Sequence, residues 1–240
     1  MLTRPQCLNA LSRDTLRELA AAARWFDAQP SVKIVVVSAE GRAFSAGFDL
    51  NDFAAPDPTL TTRDEADLGR LMAEAVTNMR ALTIAAVQGH CVGGGLVLVA
   101  ACDLRIAADN AVFSIPEVDL GIPLAWGGIP RLVREIGPAL TKELVLTCRP
   151  FDAHEALTVR FLNRVVALAD LQTAAQQLAN QLAEKSSLTL IATKQHVNIV
   201  AEEMGSTAYA RTDADSLAAA RLDRESREVG RQYLARKRGG

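Results

Sequence analysis

The chain has little of what marks a secreted, membrane-spanning or nucleic-acid-binding protein. Its 240 residues contain four cysteines, Cys7, Cys91, Cys102 and Cys148, with no CxxC pair among them. The N-terminus also lacks a basic stretch followed by an apolar one, so the expected setting is reducing and cytoplasmic. No uninterrupted apolar run reaches the roughly eighteen residues that a membrane span needs, so no membrane association is expected. A net charge of −2 gives no reason to expect nucleic acid, and a hydrophobic content of 49% excludes a disordered chain. No internal repeat and no set of metal ligands stands out. What remains is enough chain for one large domain with a substantial core.

Residues 85–119 organise the rest. The run Ala85-Ala86-Val87-Gln88-Gly89-His90-Cys91-Val92-Gly93-Gly94-Gly95 leads into the apolar residues 96–101, then Cys102-Asp103-Leu104-Arg105, and the stretch closes on Pro116-Glu117-Val118-Asp119. A buried strand followed by a glycine turn that opens a buried helix leaves several N–H groups without partners, aimed at whatever precedes the helix. A phosphate loop would need Lys-Ser or Lys-Thr after the last glycine, but Leu96-Val97 follows; a dinucleotide fingerprint needs spaced glycines, and these three are contiguous. Tight helix-to-strand packing without a ligand is the alternative to an electron-rich ligand at this turn.

The flanking chain carries further signals. Leu16, Leu19, Ala20, Ala23 and Phe26 follow helical spacing behind a Ser12 cap, and residues 33–38 with Ile34-Val35-Val36-Val37 read as a buried parallel strand. The turn Gly41-Arg42-Ala43-Phe44-Ser45-Ala46-Gly47-Phe48-Asp49-Leu50 has small residues that let a backbone N–H approach a ligand, with Asp49 reading as a helix cap rather than a catalytic acid. A polar loop around Pro56-Asp57-Pro58 precedes a capping box at Thr62-Arg63-Asp64-Glu65 and an amphipathic helix, a candidate pocket wall. Residues 120–130, rich in glycine and proline, read as a shaped loop. Helices are expected at 141–147, 152–160, 171–183 and 188–200, a strand at 163–166, and one or two helices from Thr207 to the basic tail Arg236-Lys237-Arg238. Asp103, Arg105 and His90 read as structural, and Trp25 and Trp126 as packing residues.

Taken together, Arg4-Pro5 with Leu8-Asn9-Ala10-Leu11, the Gly41 turn, residues 89–105, Pro116-Glu117-Val118-Asp119-Leu120-Gly121, and Lys142-Glu143-Leu144 with Asn163-Arg164-Val165-Val166 resemble the crotonase superfamily, the enoyl-CoA hydratase and isomerase group. The resemblance implies an α/β fold, a spiral of ββα units over residues 1–183 followed by a helical trimerisation region over 184–240. It implies homotrimers or hexamers and an acyl-CoA substrate, with coenzyme A part of that substrate and no separate cofactor. It assigns the oxyanion-holding N–H groups to Ala46 and Gly94, the acid–base role to Glu117, and the coenzyme A contacts to Cys7, Leu8, Ala10, Ser45, Phe48, Asp49 and Leu50. Two fixed amides in a dry site hold the charge that develops on a thioester oxygen without reorganising.

The chain departs from the hydratase pattern in one telling place. Hydratases of this group set two glutamates around the water; the second corresponds to Glu117, but the first falls on Val97, which moves no proton. One carboxylate suffices for a double-bond isomerase, so isomerisation is the expected reaction. A hydratase with weakened water activation and a non-catalytic acyl-CoA-binding protein are the alternatives. Ala125 stands where dienoyl-CoA isomerases and benzoyl-CoA dehalogenases carry an aspartate, which disfavours both of those chemistries. The group also has a strand ahead of the Arg-Pro motif, whereas here only Met1-Leu2-Thr3 precede it.

Overall fold

The computed structural model describes residues 1–55 and 57–238. Pro56 of the proline-rich loop lies outside the described residues, as do the side chains of Thr62, Lys237 and Arg238. In chain order the elements are α1 (Arg13–Asp27), β1 (Ile34–Val37), α2 (Leu50–Ala54), α3 (Thr62–Asn78), β2 (Leu82–Val87), β3 (His90–Val92), α4 (Gly94–Ala100), β4 (Leu104–Ala108), β5 (Val112–Ser114), α5 (Gly128–Thr147), β6 (Phe151–Asp152), α6 (Ala153–Thr158), β7 (Arg164–Val166), α7 (Leu171–Ala183), α8 (Ser187–Met204), α9 (Asp213–Leu222) and α10 (Arg224–Arg238).

The strands form two sheets, a parallel one in the order β1-β2-β4-β7 and a smaller one in the order β3-β5-β6. The chain lays β2 in the first sheet, turns at Gly89 and lays β3 in the second, crosses through α4, and repeats the step with β4 and β5. Each ββα turn thus adds one strand to each sheet, which is the spiral the motifs imply. Gly89 makes the corner possible: its φ is +56°, and a Cβ there would lie 2.0 Å from the Arg42 carbonyl oxygen. The helix α4 packs against α3, α5 and β3 with all seven residues buried, so its hydrophobicity on every face is what its position requires. Around it Phe113 stacks on Phe151 and meets Phe161 edge-on.

Local signals account for most element ends. The Ser12 hydroxyl accepts from the Thr15 amide at the start of α1. At α3 the cap is Thr61, which accepts from the Asp64 amide, one residue earlier than the expected box. Strand β1 is only half-buried, not fully buried as its unbroken apolar run suggests, because it forms one edge of the parallel sheet. Helix α5 begins at Gly128, inside the stretch read as loop, and kinks where Gly137 (φ +78°) meets Pro138. Pro130 is tolerated because it occupies the first turn, where its missing N–H would have had no intrahelical partner. Leu2 pairs with Ala39 in an isolated parallel bridge beside β1.

The C-terminal helices are tied to the core. Lys194 of α8 is buried, and its Nζ donates to the Ala81 carbonyl at 2.9 Å and to Asp103 at 2.7 Å. Asp103 also accepts from the Thr83 amide and hydroxyl, while Arg105 donates to the Phe161 and Cys102 carbonyls and to Glu135, so both residues are structural and do not pair with each other. Helix α9 packs Ala214 and Leu217 against Ala66 of α3 and against Ile122. Among the described residues no helix is long and apolar enough to cross a membrane.

Because Leu98 is fully buried at the centre of α4, Leu98→Ala is expected to cost about 2–5 kcal/mol. Denaturant titration will show it as a lower midpoint with an unchanged slope.

Candidate active site

Three segments meet at the start of α4. Strand β3 ends at Val92, Gly93 turns with φ +49°, and its amide donates to the Ser114 carbonyl at 2.9 Å. A Cβ on Gly93 would lie 2.4 Å from Glu117 Oε1, one on Gly95 would lie 2.7 Å from Ser45 Cβ, and one on Gly47 would lie 2.9 Å from the Val92 carbonyl oxygen and 3.8 Å from the Gly94 nitrogen. The glycines therefore exist so that the Ser45 turn and the Glu117 carboxyl can press directly onto the backbone that opens the helix. The Gly94 amide belongs to the first helical turn, which has no intrahelical acceptor.

The second amide is not the one expected. The Ala46 N–H donates to the Leu8 carbonyl at 2.9 Å, which removes it from the ligand side and corrects its assignment to the oxyanion site. The Gly47 N–H is held by Ser45 Oγ at 3.2 Å. Phe48 forms a parallel bridge with Leu11 in which the Leu11 amide donates to the Gly47 carbonyl and the Asp49 amide donates to Leu11. In that pattern the N–H of Phe48 itself faces away from residue 11, and among the described residues no backbone acceptor meets it. Phe48 lines the same cavity as Gly94. Phe48 and Gly94 thus bring to one cavity two amides that could hold an oxyanion, in place of Ala46 and Gly94.

Glu117 sits in a tight loop in which the amides of Leu120 and Ile122 both donate to its carbonyl at 3.0 Å. Its carboxyl is buried, and Oε2 has no hydrogen-bond partner among the described residues. Burial pushes its pKa from 4.5 up to about 7, offset only in part by a hydrogen bond from its own backbone amide. A carboxyl half ionised near neutrality, beside two unoccupied amides, is suited to taking a proton and returning it.

The cavity around these groups is lined chiefly by apolar residues, including Val97, Leu124, Ala125 and Trp126. Val97 and Ala125 thus line the same cavity as Glu117 and add no carboxyl to it. The other carboxyl in the lining is Glu65, held by ion pairs from Arg13 and from Arg221, the latter at 3.1 Å. Arg221 also lies over the Phe53 ring, 5.3 Å from its centroid. Trp126 has φ +63°, a conformation that costs a bulky residue on the order of 1–3 kcal/mol. Sequence reasoning missed Phe53, Glu65 and Arg221, which reach the cavity from α2, α3 and α9; the only available signal was the amphipathic α3.

The expected coenzyme A contacts divide into two groups. Cys7, Leu8 and Ala10 are partly exposed and adjoin the Ser45 turn, with Leu8 and Asn9 both at positive φ. The buried Asn9 side chain fixes this bend by donating to the Glu40 and Ala43 carbonyls. Ser45 is fully buried and donates to the Asn9 carbonyl. Asp49 caps α2 by accepting from the Asn51 amide and pairs with Arg4 at 3.3 Å. Leu50 is exposed at the start of α2. The side chains of Ser45 and Asp49 are thus spent on holding the turn, leaving backbone as what these positions can offer a ligand. His90 is exposed on β3 and is not part of the cavity lining, and Trp25 packs edge-on against Phe26.

The chain is similar to known proteins over most of its length. The family described as enoyl-CoA hydratase/isomerase matches residues 1–239. A probable enoyl-CoA hydratase, echA8, of Mycobacterium bovis is 38% identical over 201 residues, covering 82% of this chain and 76% of that protein. A crotonyl-CoA hydratase of Syntrophomonas wolfei is 34% identical over 198 residues, covering 82% and 76%. The crystal structure of an enoyl-CoA hydratase/isomerase from Pseudoalteromonas atlantica superposes with a TM-score of 0.89 at 25% identity, covering 98% of this chain and 92% of that one.

The raised pKa has a consequence for stability. A carboxyl whose folded pKa lies above 4.5 destabilises the fold increasingly as pH rises from 4.5, and the cost is complete above about 7. Glu117→Gln is therefore expected to raise unfolding free energy at pH 8 by up to about 3 kcal/mol, with the gain vanishing below pH 4. Urea titrations of both proteins at the two pH values measure the difference.

Proposed function

Because the chain belongs to the enoyl-CoA hydratase/isomerase family, whose members act on acyl-CoA thioesters, we propose that its own reaction is the isomerisation of an enoyl-CoA double bond with Glu117 as the single acid and base. The observation that carries this reading is that Glu117 is the one carboxyl in the cavity lining not committed to a salt bridge. The thioester oxygen rests on the Phe48 and Gly94 amides. Glu117 removes a proton from C2 of a 3-enoyl-CoA, and the electron pair forms the dienolate whose charge those amides hold. The same carboxyl then returns the proton to C4, leaving a C2–C3 double bond. Losing one such amide costs about 3–4 kcal/mol of transition-state stabilisation, so the two turns supply a large share of the rate.

A second reading, hydration, is favoured by the names of the relatives, which are hydratases. It requires one carboxylate to activate the water, since Val97 faces the cavity where a partner would stand. Assembly into homotrimers or hexamers is supported by apolar residues exposed on α8, among them Leu188, Val197, Ile199 and Met204, which a partner copy would cover.

Isomerase turnover is expected to rise with pH through about 7 and then level off, since Glu117 must begin ionised. In deuterated water Glu117→Gln is expected to lose exchange at C2 of a 3-enoyl-CoA by a factor of at least about a hundred. Exchange at the parental rate would show that another group is the base. Val97→Glu is expected to raise hydration of crotonyl-CoA; a parent that already hydrates it faster than it isomerises would favour the second reading.

A further inference from the structure

The Trp126 indole fills a slot made by two glycines. A Cβ on Gly69 of α3 would lie 1.9 Å from its Cδ2, and one on Gly94 would lie 2.2 Å from its Cζ3. The Phe48 ring meets it edge-on, 5.8 Å between centroids at 90°. The indole therefore spans the gap between α3 and the opening of α4 and lies against the backbone of Gly94, one of the two amides that hold the thioester. Any acyl group bound there must pass this ring. The backbone holds Trp126 at φ +63° to put it there, with the Gly127 amide anchored on Asp213 at 2.9 Å and the Trp126 carbonyl accepting from Arg131. Strain maintained in a cavity wall points to a role in what the cavity accepts.

The space that remains is small and ends on charge. The cavity beside Glu117 has a volume of about 60 Å³. Its lining includes the Glu65–Arg221 ion pair and the Phe53 ring beneath it. An alkyl tail laid against this largely buried pair would strip it of water, which is unfavourable.

We propose that Trp126 is the residue that sets acyl length, narrowing the site so that it favours short acyl groups. This rests on the acyl-CoA reading above, and its test separates the two. Butyryl-CoA and octanoyl-CoA, both saturated and unable to react, are titrated calorimetrically into the parent, Trp126→Gly and Trp126→Phe, so the reaction assignment plays no part in the result. The parent is expected to bind butyryl-CoA at least tenfold more tightly than octanoyl-CoA. Trp126→Gly suits the positive φ and is expected to shift that ratio at least tenfold toward octanoyl-CoA, with Trp126→Phe in between. Equal binding of both ligands by the parent, or an unchanged ratio in the variants, overturns the proposal. Should Trp126→Gly fail to fold, Trp126→Phe decides by the same ratio. Binding of neither ligand by the parent defeats the acyl-CoA reading itself and this proposal with it.

Discussion

A helix that starts in the middle of a protein must do something with the N–H groups of its first turn, and α4 starts at the centre of this one. All seven of its residues are buried, so water cannot satisfy those donors from outside. The fold answers with glycines. They let Glu117 and the Ser45 turn reach the helix opening, and they leave the Gly94 amide facing a cavity rather than an acceptor. The spiral of strands, the corner at Gly89 and the packing of three phenylalanines around α4 all serve to hold that opening in place.

The same burial decides the chemistry of the carboxyl. Glu117 has neither a cation nor a donor on Oε2, and so its charged form is disfavoured until near neutral pH. Glu65, in the same cavity, is held by two arginines and so ties α1, α3 and α9 together. Two carboxyls of one type differ in role because their neighbours differ. Val97 lines the same cavity, which thus holds one carboxyl free of an ion pair.

The helical C-terminal part completes the site. Gly121 passes so close to α10 that a Cβ there would lie 2.1 Å from the Ser226 carbonyl oxygen, and one on Gly230 would lie 2.6 Å from that of Leu120. These approaches brace the loop that carries Glu117. Arg221 and Leu217 of α9 line the far wall. The chain after residue 184, for which the family resemblance implied a role in assembly, thus forms part of the cavity.

Much was legible in the sequence because local patterns carry it. The Ser12 cap, the apolar run of α4 and the extent of α7 follow from short-range preferences, while the order of two small-residue turns with a Pro-Glu motif carried the family resemblance that implied the fold and pointed to Glu117. The rest depends on partners far away in the chain. Ala46 and Phe48 look equally available in the sequence; what separates them is that the Ala46 amide is taken by Leu8 while the bridge to Leu11 turns that of Phe48 outward. Glu65 and Arg221 are 156 positions apart, and the slot for Trp126 is cut by glycines on two different helices. The sequence by itself determined the elements and the carboxyl; only the tertiary structure decided which amides and which walls face it, because amide direction and cavity shape are set by long-range hydrogen bonds and packing that no local pattern encodes.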